Sequence, residues 1–382
     1  MHSVVVAKYV PWPPNSGDKR RTLGVVRALL ERGPVTICAF AGDDEDAGPL
    51  EAEGFHVVSA PLARSARSAA VGLARTRSLT AARFWSPVLA GLVQRATRGA
   101  DVLVIEHVQL QAYARGLASG CRVLDMHNIE STLTARHAVS SSGLRGAAMR
   151  VETQALRVLE RGARRFDVVA VASEVDRRGL RAVVDHPRVV VLPNAWDAQA
   201  PLPRAEGAIV SFVALMSWSP NVEAACWFVG EVWPRVSDAV PGARLQLVGR
   251  NPTSKVNALA GPSVVVTGTV DDLTPYYART QVAVAPLLAG SGSRLKILEA
   301  LSFGRPVVST TIGVEGLEDL VGRGVVVADS PQDMARQIIS MLIDPGAAMA
   351  LGMIGAQTVE VDHSWAAATR PLLEAIDARL AR

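Results

Sequence analysis

Short apolar segments alternate with helical patterns along the whole chain. After the first apolar segment, the residues Leu23, Val26 and Leu30 recur at helical spacing, which predicts a helix at 19–32. The apolar segments themselves predict buried strands. The predicted strands are 4–7, 35–40, 102–105, 122–124, 168–171, 189–192, 209–214, 245–248, 264–266, 282–285, 307–309 and 325–327.

A Pro- and Ala-rich stretch that ends near Gly207 interrupts this alternation and predicts a domain boundary. We expect an N-terminal domain at 1–195, a C-terminal domain at 205–360 and a final helix at 361–382. Strands that alternate with helices in both halves predict the α/β class, with two Rossmann-like, doubly wound domains. In such sheets, ligands bind beyond the carboxyl ends of the strands.

The segment 282–311 contains the strongest indication of chemistry. A strand leads into a loop of small residues, Gly290-Ser291-Gly292-Ser293, and then into a predicted helix that starts at Arg294. Backbone N–H groups and the helix dipole at such a start favour an anion. Arg294 and Lys296 lie in the first predicted turn, where the dipole disfavours cations unless an anion is bound. Glu299 could accept hydrogen bonds from sugar hydroxyls. An ordinary helix start beside a flexible loop is the alternative.

Composition excludes several classes of protein. The chain has 382 residues, is 49% hydrophobic and 20% charged, and is therefore expected to pack two cores. A net charge of +4 is too small for a dedicated nucleic-acid binder. Three cysteines lie far apart without zinc or disulfide spacing, which favours a reducing, cytoplasmic location. We expect neither a signal peptide nor a membrane-spanning segment.

The segment 282–311 closely resembles the donor-binding region of family 4 retaining glycosyltransferases, which have the GT-B fold. The similarity covers the C-terminal half well and the N-terminal half more loosely. It implies two domains that face each other across a cleft, with the C-terminal helix crossing back to the N-terminal domain. Other stretches that resemble this family are the Pro-rich loop before Gly17, Val191-Leu192-Pro193-Asn194, Leu247-Val248-Gly249-Arg250, 266–273 and Gly313-Val314-Glu315-Gly316-Leu317.

The resemblance implies a nucleotide-sugar donor site. Glu299 would hold the ribose hydroxyls, and the amides of Gly292 and Ser293 would hold the diphosphate. Gly17 would allow close approach of the backbone to the donor, because glycine has no side chain. The predicted donor-binding residues are Gly17, Gly249, Arg250, Val270, Ser291, Gly292, Ser293 and Glu299.

Two departures from the family pattern change the expected chemistry. Many members have a glutamate where this chain has Ser291, so the donor sugar cannot be named by analogy. The loop at 214–221 lacks the cations that usually neutralise the diphosphate. Arg294 and Lys296 are the predicted replacements and would stabilise the leaving diphosphate electrostatically. No carboxylate pair has convincing metal spacing, so we expect neither a metal nor another cofactor.

A second polar cluster follows predicted strands in the N-terminal half. His127 resembles a family histidine that contacts the donor sugar, and we expect a hydrogen bond from it to a sugar hydroxyl. A structural histidine at a strand end is the alternative. Glu106, His107 and Asp125 are candidates for the acceptor pocket. With Arg294 and Lys296, His127 completes the predicted catalytic set.

Two groups of cations have open roles. Lys19, Arg20 and Arg21 could reach phosphate, but a solvated helix face is the favoured interpretation. The stretch 54–100 contains seven arginines and no acidic residue. It is either a solvated face or a surface that attracts an anionic acceptor or the inner face of a membrane. The acceptor could therefore be a small molecule, a saccharide or a lipid-linked glycan.

The predicted function is metal-independent transfer of a sugar, with retention, from a nucleoside-diphosphate sugar to an acceptor hydroxyl. Two alternatives stay open: a nucleotide-sugar epimerase, and a catalytically degenerate protein that only binds nucleotide sugars. A dehydrogenase would need a Gly-x-Gly-x-x-Gly motif after the first strand, where this chain has Pro-Pro-Asn-Ser-Gly-Asp. Heavy use of Ala, Arg, Val and Gly suggests a bacterial source.

Overall fold

The chain forms two compact units. A computed structural model describes residues 1–42, 45–62, 66–115, 120–139, 142–289 and 294–382. The first unit comprises Met1–Asn194 and Ala368–Arg382, and the second comprises Ala195–Ala367. Each unit has its own parallel sheet, as the two series of apolar segments predict.

The first unit is built on seven parallel strands in the order β3-β2-β1-β4-β5-β6-β7. The strands are β1 (Ser3–Ala7), β2 (Val35–Ala41), β3 (His56–Pro61), β4 (Val102–Glu106), β5 (Cys121–Met126), β6 (Val168–Val171) and β7 (Val189–Val191). The helices are α1 (Gly17–Leu30), α2 (Gly48–Ala52), α3 (Ala66–Thr76), α4 (Leu79–Ala82), α5 (Pro87–Ala96), α6 (Glu130–Val139), α7 (Gly143–Glu160) and α8 (Glu174–Arg181). Two 3₁₀ segments, Val108–Ala114 and Arg161–Arg165, complete it.

The second unit has six parallel strands in the order β10-β9-β8-β11-β12-β13. The strands are β8 (Ile209–Val213), β9 (Arg244–Val248), β10 (Val264–Gly268), β11 (Val282–Ala285), β12 (Val307–Ser309) and β13 (Val325–Val327). The helices are α9 (Ser219–Trp227), α10 (Trp233–Ala239), α11 (Ser254–Asn257), α12 (Thr274–Arg279), α13 (Leu295–Ser302), α14 (Pro331–Ile343) and α15 (Pro345–Asp362). A π-helical turn, Phe228–Val232, joins α9 to α10, and Glu318–Leu320 is a 3₁₀ turn.

The last helix, α16 (Trp365–Leu380), starts in the second unit and ends in the first. Arg379 Nε donates to Asp167 Oδ1 at 2.9 Å, and Arg32 donates to Asp377 at 2.7 Å. These ion pairs join the C-terminal helix to the first unit.

The two parallel sheets with their connecting helices confirm the predicted α/β fold class.

The predicted strands are all present, with ends that shift by at most two residues. Buried parallel strands are continuous apolar runs, which is why the pattern finds them. Strand β3 was not predicted, because it lies at the sheet edge and most of its residues are exposed or partly buried. The predicted helix at 294–301 begins one residue later, and Arg294 is its N-cap, with φ −91° and ψ 40°.

The described helices were compared with the length and hydropathy that a membrane-spanning helix requires. Within the described ranges, no single helix is long and apolar enough to cross a membrane. Residues 331–343 and 345–380 satisfy the length and composition criteria only as a pair, with a bend of 105° between them.

Candidate functional site

In the second unit, the strand order reverses between β8 and β11, which are hydrogen-bonded neighbours. Chain connections leave such a pair in opposite directions, and this opens a crevice at the carboxyl ends of the two strands. The chain after β11 leads to Arg294 and α13, and the chain after β8 leads to α9. The predicted donor-binding helix therefore starts at the position where an α/β sheet binds its ligands.

A residue of α9 holds the side chain of Lys296 beside this reversal of the strand order. Its Nζ donates to Asn221 Oδ1 at 2.6 Å, and Asn221 Nδ2 donates to Leu215 O at 2.9 Å. Asn221 is buried, so its amide is held between the loop after β8 and the ammonium. The second residue of α13 thereby carries a positioned cation.

Burial and, as the smaller cause, the positive charge of the nearby Arg294 together lower the pKa of Lys296 to about 7. The ammonium is therefore only partly protonated at neutral pH. A bound anion would raise the pKa of Lys296 again, because it stabilises the charged ammonium. The two cations are thus suited to hold an anion, and the phosphate ligand stays a prediction.

Arg294 is less available than the sequence suggested. Its side chain is buried, and NH2 donates to Ile312 O at 2.9 Å and lies 3.4 Å from Glu315 Oε2. Arg294 was expected in the first helical turn, but it is the N-cap, one residue before α13, because its φ and ψ are not helical. Its charge still contributes to the field at the start of α13.

Glu299 lies further along the same helix and is 8% exposed. Its Oε2 accepts a hydrogen bond from the hydroxyl of Tyr277 at 3.2 Å. Tyr277 is fully buried and stacks on Phe303, with ring centroids 4.8 Å apart. The carboxylate is therefore held by a rigid aromatic pair, an arrangement suited to fixing the direction of hydrogen bonds to a ligand.

The other predicted donor-binding residues of this unit lie on loops. Gly249 follows β9 with φ +150°, and a Cβ there would lie 1.7 Å from Ala214 O, so the position requires glycine. Arg250 O accepts a hydrogen bond from Met216 N at 3.0 Å. Val270 is half-buried beyond β10. The predicted residues Ser291, Gly292 and Ser293 lie outside the described residues.

The first unit has its own polar cluster at the carboxyl ends of β4 and β5. Glu106 and Asp125 are cross-strand partners and have no exposed surface. His127 Nε2 lies 2.6 Å from Glu106 Oε2 and 3.7 Å from Asp125 Oδ2. The ring of His107 lies against that of His127, with centroids 3.7 Å apart. Four of the predicted residues are therefore in contact, and Gly17 begins α1 in the same unit.

Burial dominates the electrostatics of this cluster. It raises the pKa of Glu106 and lowers the pKa of His127, so both shifts favour the uncharged pair. Burial also holds the pKa of His107 well below its usual range, and the neighbouring His127 adds to this effect. At neutral pH the two imidazoles are therefore uncharged and suited to hydrogen bonding with sugar hydroxyls.

The favoured interpretation of Lys19 and Arg21 as part of a solvated face was wrong. Arg21 is 1% exposed and forms a bidentate pair with Asp125, with Nε–Oδ2 at 2.8 Å and NH2–Oδ1 at 2.6 Å. Its NH1 donates to Leu192 O at 2.6 Å. Lys19 is also buried and pairs with Glu45 at 3.0 Å. Both cations neutralise internal carboxylates.

Glu106, Asp125 and His127 could in principle hold a metal ion, since their ligand atoms lie within 4.8 Å of one another. The guanidinium of Arg21 already occupies both oxygens of Asp125. Its positive charge opposes a divalent cation at the same position. We therefore interpret Arg21 and Asp125 as a buried ion pair, with His127 and Glu106 hydrogen-bonded beside it.

Three residues near the two clusters were missed by the sequence interpretation. Asn221 and Tyr277 orient Lys296 and Glu299, and no local pattern marks them. Lys8 directly follows β1, and burial lowers its pKa while Glu130 raises it. Its position just after the first strand was the available indication, because the carboxyl ends of parallel strands meet at one edge.

Two parallel α/β sheets of seven and six strands, wound in these orders, match structures of GT-B glycosyltransferases. Residues 207–344 match the family model described as "Glycosyl transferases group 1". The fold and the matched segment together support a glycosyltransferase at this general level.

Two solved structures are similar to this chain in fold, and they and a further relative differ widely from it in sequence. Sucrose-phosphate synthase from Thermosynechococcus elongatus has a TM-score of 0.72 and 16% identity, covering 100% of this chain and 99% of that one. Anabaena Alr3699/HepE in complex with UDP and glucose has a TM-score of 0.69 and 16% identity, covering 99% and 100%. An uncharacterized 44.6 kDa protein in the cps region of Klebsiella pneumoniae is 27% identical over 146 residues, which are 34% of this chain and 36% of that protein's length.

Proposed function

We propose that the protein is a retaining glycosyltransferase that moves a sugar from a nucleoside-diphosphate sugar to an acceptor hydroxyl without a metal ion. The observation that carries this proposal is the desolvated ammonium of Lys296, held by Asn221 beside Arg294 where the sheet order reverses. The family match to residues 207–344 and a structural neighbour that binds UDP support the same class of donor.

In the proposed reaction, the acceptor oxygen attacks the anomeric carbon on the face from which the nucleoside diphosphate leaves. The bond between that carbon and the diphosphate oxygen breaks. A phosphate oxygen of the leaving group takes the acceptor proton, so no strong protein base is required. Lys296 and Arg294 stabilise the negative charge that develops on the leaving diphosphate, which is the task that a metal ion performs in other enzymes.

The direct test is binding of UDP, GDP, ADP and dTDP, measured by thermal shift and calorimetry with EDTA and again with Mg²⁺. We expect one nucleotide to raise the melting temperature equally under both conditions. A shift that requires Mg²⁺ would contradict the metal-free proposal. Absence of binding by all four nucleotides would contradict a nucleotide-sugar donor.

The epimerase alternative has one observation in its favour, the buried pair of Glu106 and His127 with a raised carboxyl pKa. Such a pair could act in acid–base chemistry. Incubation of the protein with the cognate nucleotide sugar, followed by NMR, separates the candidates. A released sugar with the donor's anomeric configuration supports a retaining transferase, whereas a changed ring configuration supports an epimerase. Binding without turnover indicates a degenerate protein.

The lowered pKa of Lys296 makes donor affinity depend on pH. The free protein binds the diphosphate best below pH 7, where the ammonium is charged, and the complex holds its proton to higher pH. We therefore expect the nucleotide Kd to weaken by about tenfold between pH 6.5 and 8.5. Calorimetry across this range measures the slope.

Lys296→Met is the matched variant for this pH dependence. It should bind the nucleotide more weakly at pH 6.5 and show little change with pH, because methionine does not titrate. Equal slopes in the variant and the wild type would assign the pH dependence to another group.

A further inference from the structure

The first unit contains a cavity of about 650 Å³ whose walls are dominated by arginine. A neighbouring cavity of about 310 Å³ shares Arg115 and Arg165 with it and adds Arg122. We call the larger cavity the arginine groove. The arginines that line it are Arg75, Arg77, Arg115, Arg161, Arg164 and Arg165.

Three separate parts of the chain build the arginine groove. Arg75 lies in the last turn of α3, Arg115 follows the 3₁₀ segment Val108–Ala114, and the remaining wall is the 3₁₀ segment Arg161–Arg165. Arg115 NH1 donates to Arg75 O at 3.0 Å and ties two of these parts together. Gln111 is buried beneath them and donates to Leu159 O at 2.6 Å. These hydrogen bonds link the parts of the chain that form the groove.

The charge of the groove is uncompensated. Among the described residues, none that lines the groove is acidic, and none of the six arginines has a carboxylate within 4.0 Å. Arg115 is largely exposed, but partial desolvation lowers its pKa, and repulsion from Arg165, Arg75 and Arg77 lowers it further. Like charges held this close repel one another, and a bound anion removes that repulsion.

The position of the groove separates it from the predicted catalytic cluster. Arg122 is the second residue of β5, and Arg161–Arg165 ends just before β6. These are the amino ends of the strands, whereas His127 lies beyond the carboxyl end of β5. A ligand in the arginine groove is thus held near the amino ends of the strands, opposite the carboxyl ends where His127 lies.

We propose that the arginine groove is a binding site for phosphoryl groups, separate from the donor site. Guanidinium groups present planar, paired N–H donors that match the oxygens of a phosphate, and several converge here. The phosphoryl group belongs either to a soluble phosphorylated ligand or to a lipid headgroup at a membrane surface. Only Arg75 and Arg77 of the groove come from the Arg-rich stretch 54–100, so the site differs from the surface that the sequence suggested.

The test uses inorganic pyrophosphate as the probe and calorimetry at an ionic strength of about 0.15 M, where exposed charges more than about 8 Å apart are largely screened. The groove variant is Arg115→Glu with Arg165→Glu. The control is Arg95→Glu with Arg98→Glu, which changes the net charge equally at arginines that are also exposed but do not line the groove. We expect the groove variant to lose at least about tenfold in pyrophosphate affinity and the control to stay near wild type, because screening leaves only close charges effective.

Vesicle flotation distinguishes the two sources of the phosphoryl group. Vesicles of phosphatidylcholine with phosphatidylglycerol are compared with vesicles of phosphatidylcholine alone. Binding to the anionic vesicles that the groove variant loses and the control retains assigns a lipid headgroup. Pyrophosphate binding without vesicle binding assigns a soluble ligand. Equal loss in the groove variant and the control, or no binding of either probe by the wild type, overturns the proposal. Nucleotide binding by both variants shows independently that the donor site is intact.

Discussion

Replacing Glu299 with alanine is expected to weaken nucleotide-sugar binding and turnover by roughly two orders of magnitude. If Glu299 holds the ribose hydroxyls, the variant loses two hydrogen bonds to a charged acceptor, each worth about 1.5–3 kcal/mol. A loss of about 3 kcal/mol corresponds to roughly a hundredfold in Kd. The measurements are calorimetry with the cognate nucleoside diphosphate and kcat/KM with the nucleotide sugar.

Two further variants distinguish the contribution of the charge of Glu299 from that of its orientation by Tyr277. Glu299→Gln keeps the size and the bond from Tyr277 but removes the charge, so it should lose less than the alanine variant. Tyr277→Phe removes the hydroxyl that donates the 3.2 Å bond to Glu299, and a smaller loss is expected. All three variants should melt near the wild-type temperature. Wild-type kinetics in Glu299→Ala would remove this residue from the donor site.

Arg21→Met is expected to destabilise the first unit by about 3–5 kcal/mol, because it leaves the buried carboxylate of Asp125 without its partner. For a unit of this size, such a loss lowers the melting temperature by roughly 10 °C. The variant also breaks the bond to Leu192 O, which ties α1 to the chain after β7. Chemical denaturation and calorimetry measure the change.

The matched control lies on the same helix. Arg27 pairs with Glu53 at 2.7 Å, but both side chains are substantially exposed, at 41% and 34%. Arg27→Met should therefore cost less than about 1 kcal/mol. The double variant Arg21→Met with Asp125→Asn should recover part of the loss, because the uncompensated charge is gone. Equal losses of unfolding free energy in Arg21→Met and Arg27→Met would mean that burial of the Arg21–Asp125 pair does not increase its contribution to stability.

The buried pair also explains why sequence interpretation misjudged α1. The segment Lys19-Arg20-Arg21 is a run of cations at a helix start, and such runs are usually solvated. The partner of Arg21 lies 104 residues away in the chain, at the end of β5. Local spacing contains no information about that contact.

The apolar runs by themselves determined the strands, the two-domain organisation and the segment that leads into α13. A strand covered on both faces must be apolar along its length, so its sequence is sufficient to locate it. The edge strand β3 was not predicted, because its partly exposed residues need not be apolar. The family resemblance added the expected chemistry, and the general class agrees with the fold and with the match to residues 207–344.

Only the tertiary structure decided which charges are buried, paired or left together. It placed Asn221 on Lys296, Tyr277 on Glu299 and Arg21 on Asp125, and it gathered the arginine groove from three distant parts of the chain. The free energy of a charge depends on its distance from solvent and from other charges. Those distances arise from long-range packing, which a local pattern of residues does not specify.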